Sequence, residues 1–176
     1  KRGVRMRIRE INSVDDFKSI RGIWNDLLAK GHDKNIFLTW EWLFEWWKHF
    51  SDNKKLKILM VEDRDDTIGI MPLLCSTYRT FLFSYAVVEN IGLNLSDYGG
   101  IIYSDLDDGQ INKMFELIKY YLDYNKLIFR FDQVPNDSKF LNILHNPSFC
   151  QSSLFVGEKK RVFLRIYLSD HHWMTT

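Results

Sequence analysis

The chain has 176 residues, enough for one domain with its own core and too few for a second full one. Its 45% hydrophobic and 15% aromatic content, with 13 Phe, 8 Tyr and 6 Trp, excludes a disordered chain. Lys plus Arg total 24 and Asp plus Glu 23, so no overall field steers the protein to nucleic acid or to an anionic membrane.

The two cysteines, Cys75 and Cys150, stand in no Cys-x-x-Cys pair, which fits a reducing compartment and no structural zinc, and the expectation is free, mostly buried thiols. There is no charged start followed by an apolar run, and no apolar run approaches the ~20 residues of a membrane span, so the expectation is a cytoplasmic protein.

In chain order, Arg5–Ile11 alternates basic and apolar residues, the period of a strand with one buried face. Ser13 stands three residues before Asp16, a start resembling a capping box, and Phe17, Ile20, Ile23, Trp24, Leu27 and Leu28 follow at helical spacing towards a stop near Gly31. Residues 37–50 predict a second helix with Thr39 as N-cap and a packing stripe of Trp40, Leu43, Phe44, Trp47 and Phe50. Trp42 and Trp46 lie off the centre of that stripe and are the candidates for contact with a substrate.

Leu56–Val61 and Thr67–Cys75 predict a hairpin closed by the acidic turn 62–66, with Pro72 marking an edge or a bulge. Further strands are expected at Phe81–Val88 and Gly100–Tyr103, separated by a polar loop, residues 89–100, long enough to suggest a function. Asp107 and Asp108 open an amphipathic helix carrying Ile111, Met114, Phe115, Ile118 and Leu122. Leu127–Phe131 reads as a central strand, 137–144 as a short helix and Arg161–Leu168 as a final strand. This order predicts an α/β fold, a mixed sheet with helices on its faces.

The segment Phe37-Leu-x-x-Glu-Trp-Leu-x-x-Trp-Trp-x-x-Phe50, the strand Leu56-Lys-Ile-Leu-Met-Val-Glu62, the strand Thr67-Ile-Gly-Ile-Met-Pro-Leu73 and the loop Gly92-x-x-x-Ser96-Asp97-Tyr98 together resemble the opening of CelD-like (BioF2-like) acyltransferases. These are tandem GNAT-type folds related in layout to FemAB-type transferases. The resemblance implies a GNAT-like domain over residues 1–169, with 170–176 as a tail or the start of a linker. It also implies transfer of an acyl group from a thioester such as acetyl-CoA to an amine or hydroxyl acceptor, often a saccharide.

In such tandem folds the first half shapes the acceptor groove, so the chain resembles an amino-terminal half whose partner is a carboxy-terminal GNAT-like half. Trp42, Trp46 and Ser96 are then expected to bind the acceptor. Asp97 would take its proton, and Tyr98 would donate a hydrogen bond or stack on a sugar. The plainer reading of Asp97 and Tyr98 is a turn followed by a packed tyrosine.

Acyl-CoA binding in GNAT folds needs an Arg- or Gln-x-x-Gly-x-Gly or -Ala loop at a helix start, so that bare amides meet the pyrophosphate. The sequence lacks one, and the expectation is that this half alone binds no coenzyme. An isolated half is also expected to self-associate through apolar surface that its partner would cover. The rival function is a non-catalytic module of the same fold that docks a protein or glycan. Glu41 and Glu45, one helical turn apart, read as a solvated face rather than an acid–base pair. Asp170, His171 and His172 lack further ligands for a metal.

Overall fold

The computed structural model describes residues 6–31, 35–93, 95, 96, 98–125 and 128–130. The elements expected at 137–144 and 161–168, the boundary at residue 169, His171, His172 and Cys150 lie outside the described residues. The chain runs β1 (Met6–Ile11), α1 (Val14–Ser19), α2 (Arg21–Lys30), a 3-10 turn (Ile36–Leu38), α3 (Trp40–Phe50), β2 (Lys54–Leu56), β3 (Ile58–Asp63), β4 (Asp66–Met71), β5 (Leu73–Arg79), β6 (Ser84–Asn90), β7 (Ile102–Tyr103), α4 (Asp108–Tyr124) and β8 (Ile128–Arg130).

Among the described residues two four-stranded sheets result, in the orders β1-β3-β4-β7 and β2-β5-β6-β8. Every pairing is antiparallel except β6 with β8, which makes the α/β fold mixed as the element order predicts. The hairpin expected at 56–75 spans both sheets. It crosses from one to the other at Lys57 and at Pro72, which has no N–H to give to a ladder. Lys57 N donates to Leu73 O at 3.0 Å, so the two crossings are tied together. β8 lies at the end of its sheet among the described residues rather than at its centre.

Alternation along the strands sends side chains to two cores. Ile58, Met60, Ile70 and Leu74 meet α1, α2 and α3 on one face, whereas Leu59, Val61, Met71, Leu73 and Val88 meet α4 on the other. Ser13 caps α1 as expected, accepting from Asp16 N at 3.1 Å. The single helix expected from 17 to 28 is instead two, because Ile20 leaves helical geometry at φ −86°, ψ 3°. Phe17, Ile20 and Trp24 all remain buried across that break.

The stripe on α3 is rotated from its predicted position. Trp40, Leu43, Trp46 and Trp47 are buried, Phe44 is half-buried and stacked on Trp40, and Phe50 is exposed. Trp46 therefore belongs to the core cluster with Leu56 and Leu74.

The acidic turn is shorter than its composition suggests. Arg64 supplies the tight geometry at φ 60°, while Glu62 lies in β3 and is buried. Arg7 and Arg9 of β1 each donate a guanidinium Nε to Glu62, at 2.8 and 2.7 Å. Both arginines of β1 are thus spent on a cross-strand clamp. Burial works against the Glu62 anion, but the two guanidiniums hold its carboxyl below the usual range.

Candidate functional site

The loop after β6 closes against the start of α3. Gly92 adopts φ 96°, and a Cβ there would run into Ser96 Oγ and come within 3.3 Å of Leu43 Cδ2. Its carbonyl accepts from Leu95 N at 3.1 Å and from Ser96 N at 2.9 Å, so the loop turns back at once. Ser96 is carried inward until it is buried, and its Oγ accepts the Trp42 indole N–H at 2.9 Å. Its own hydroxyl proton remains a donor.

Three rings stand around this bond. Phe37 meets Trp42 edge to face at 5.2 Å and lies 6.4 Å from Tyr98, with Trp42 and Tyr98 both half-buried. The support behind them is rigid. Trp24 Nε1 donates to Leu38 O at 2.8 Å, Trp40 Nε1 donates to Phe17 O at 2.9 Å, and Thr39 caps α3 through Trp42 N. The result is a cluster of three rings beside a buried hydroxyl.

Of the residues singled out from sequence, Trp42, Ser96 and Tyr98 come together here. Trp46 does not: one turn further along α3, its ring lies 5.6 Å from Phe50 and under the Lys54 ammonium. Asp97 lies outside the described residues. Glu41 and Glu45 look to different partners, the first accepting from Arg21 and Asn25 and the second from Lys48. Slight burial opposes the Glu41 anion, yet its own helix-start amide, Asn25 and Arg21 hold its carboxyl below the usual range. Among the described residues no cluster of His, Cys, Asp and Glu could hold a metal ion.

Three residues, one each on β5, β6 and β8, had no sequence signal beyond a carboxylate closing an apolar strand. Glu89 is 0% exposed, accepts the Tyr78 hydroxyl proton at 2.9 Å and pairs with Arg130 of β8. Burial and then the Glu89 carboxylate raise the Tyr78 hydroxyl above the ordinary tyrosine range. The second oxygen of Glu89, both polar side-chain atoms of Asn90 and the indole nitrogen of Trp46 are buried without a hydrogen-bond partner among the described residues.

The start of α4 is capped by its own side chains. Asp107 Oδ1 accepts from Gln110 N at 2.8 Å, and Gln110 Oε1 accepts from Asp107 N at 3.1 Å. Asp105, Asp107 and Asp108 also place three carboxylates within four residues. An amide that a phosphate would use at a helix start is therefore taken.

Neither a protein-family profile nor a curated protein sequence matches the chain. Solved structures similar to it include aminoglycoside N-acetyltransferase AAC(6')-Iy in complex with CoA, at 16% identity over 95% of this chain and 98% of that one, TM-score 0.46. A ribosomal-protein-alanine N-acetyltransferase from Brucella melitensis biovar Abortus 2308 aligns at 7% identity over 93% and 99% of the two chains, TM-score 0.47. An integron cassette protein from the mobile metagenome of V. cholerae aligns at 12% identity over 93% and 94%, TM-score 0.48. Likeness at this level carries no argument about activity, and the functional reading rests on the side chains. No helix among the described residues is long and apolar enough to cross a membrane.

Proposed function

We propose that the chain is a GNAT-like acyltransferase domain that supplies the acceptor side of the reaction, as the amino-terminal half of a tandem pair. The observation that carries this reading is the Trp42–Ser96 hydrogen bond locked by the left-handed turn at Gly92. It fixes a hydroxyl at the base of a niche walled by Phe37, Trp42 and Tyr98, which suits a saccharide ring or an amine borne on an apolar frame.

In this reading an acceptor stacks on the exposed parts of the Trp42 and Tyr98 rings and receives a hydrogen bond from Ser96. Asp97, adjacent to both in sequence, takes the proton that the acceptor amine or hydroxyl loses as it becomes a nucleophile. The closed start of α4 supports assigning the acyl-thioester site to a second, carboxy-terminal GNAT-like half. Cys75, a free thiol, suits a reducing cytoplasm.

Calorimetry separates the two claims. Acetyl-CoA titrated into this chain should give no micromolar binding, and clear micromolar binding would overturn the division of labour. In the protein joined to its second half, Asp97→Ala and Tyr98→Phe should each cut acyl transfer by about tenfold or more, in line with loss of a general base or of a positioning hydrogen bond. Full activity in both variants would overturn the acceptor-groove reading in favour of a docking module.

A further inference from the structure

The turn that precedes β6 is built in the opposite sense from the loop that follows it. Phe81, Leu82 and Phe83 are 102%, 83% and 62% exposed, three consecutive large apolar side chains at the tip of the β5–β6 hairpin. Its closing groups are satisfied within the turn, because Thr80 N donates to Phe83 O at 2.8 Å and Phe83 N donates to Thr80 Oγ1 at 3.1 Å. These amides ask nothing of water when the tip enters an apolar phase.

Behind the tip stand tyrosines. Tyr78 and Tyr85 stack at 5.7 Å, and Phe83 lies 6.0 Å from Tyr85. The parallel register of Val87 with Ile128 brings the end of α4 to the same end of the sheet, where Tyr120 and Tyr124 stack at 6.2 Å and are exposed. From Ser76 to Val88 the sequence holds a single charge, Arg79, and it is exposed.

We propose that this hairpin tip is a wedge that seats the protein on the interfacial layer of a lipid bilayer, with Phe81, Leu82 and Phe83 inserted, the tyrosines at headgroup depth and Arg79 against lipid phosphate. Shape and area favour a bilayer over a protein. The tip is convex and narrow, and its three side chains offer roughly 500 Å², below the ~800 Å² per partner of a stable protein interface. Insertion into lipid needs no matching surface, and tyrosine rings are suited to the headgroup region. With a net charge of only +1, apolar insertion drives the contact and the headgroup charge adjusts it.

Flotation of the chain with vesicles tests the wedge. The protein should float with phosphatidylcholine vesicles and a few-fold more with equimolar phosphatidylcholine and phosphatidylglycerol. The triple variant Phe81→Ser, Leu82→Ser, Phe83→Ser should melt like the parent and lose at least tenfold in the vesicle-bound fraction. Arg79→Gln should erase only the preference for the anionic vesicles. The proposal is overturned if the parent floats with neither vesicle, or if the triple variant floats equally well. It is also overturned if sedimentation shows that the same three residues hold two copies together, which would make the tip a protein contact.

Discussion

Strand β6 enters its sheet from an apolar turn and leaves it through a polar one, and the two ends reverse the usual distribution of side chains. At the entry, Phe81 and Leu82 face solvent, while at the exit Glu89, Asn90 and Ser96 are buried. Apolar atoms left in water cost free energy in proportion to their area, and polar groups taken out of water without partners cost more per group. Each end is therefore poorer in stability than it could be. The exit keeps an ordered hydroxyl and ring niche, and the entry keeps a ready contact surface. Between them, Val87 and Val88 obey the ordinary rule.

That contrast can be broken by substitution, beginning across the ladder from the exit. Leu74 is fully buried and sits opposite Glu89 in the ladder, so Leu74→Ala should cost about 2–5 kcal/mol by denaturant unfolding. Gly92→Ala should come next, at about 1–3 kcal/mol, because the backbone there is left-handed and the added methyl collides with Ser96. It should also abolish any acceptor binding at the niche. Trp42→Phe removes the indole donor while keeping a ring, and should cost about 0.5–1.5 kcal/mol while weakening acceptor binding.

A control away from both ends is Glu10, Lys57 and Tyr121, which tie β1 and the sheet crossing to α4. Lys57 Nζ donates to Glu10 at 2.9 Å and to the Tyr121 hydroxyl at 3.2 Å, and Tyr121 donates to Glu10. Partial burial opposes the Glu10 anion, but Tyr121 and Lys57 hold its carboxyl below the ordinary range. Its stabilising contribution is therefore present above the usual carboxylate pKa and lost as pH falls through the lowered one.

Burial and Glu10 push the Tyr121 hydroxyl up. Lys57 is opposed by burial but raised by Glu10 and Tyr121. The contributions of these two groups are complete below their ordinary alkaline pKa values and lost as pH climbs through the raised ones. Tyr121→Phe should flatten the alkaline loss of stability and weaken the acid one in urea midpoints taken across pH. The smallest effect belongs to the entry turn, where Leu82→Ser should change stability by no more than about 0.5 kcal/mol, since nothing is packed against it.

Much of this architecture was legible in the order of residues. The Ser13 and Thr39 caps, the helix opened by Asp107 and Asp108 and the α/β order all follow from local periodicity and capping chemistry, and the structure carries them, while the apolar spacing from Phe17 to Leu28 is carried by two helices instead of one. The grouping of Trp42, Ser96 and Tyr98 was legible only through a resemblance spread over most of the chain. Phe37 was quoted in that pattern without a role.

Contacts between distant segments decided the remainder. That Trp46 is core rather than groove, that Glu62 is a clamp rather than a turn residue, and that Tyr78, Glu89 and Arg130 meet are all settled by pairings across 11 to 55 residues. Local sequence fixes backbone preference at a cost or gain of about 1 kcal/mol per residue. Which side of a helix or strand is covered depends on what arrives from elsewhere in the chain, and that burial outweighs the local preference.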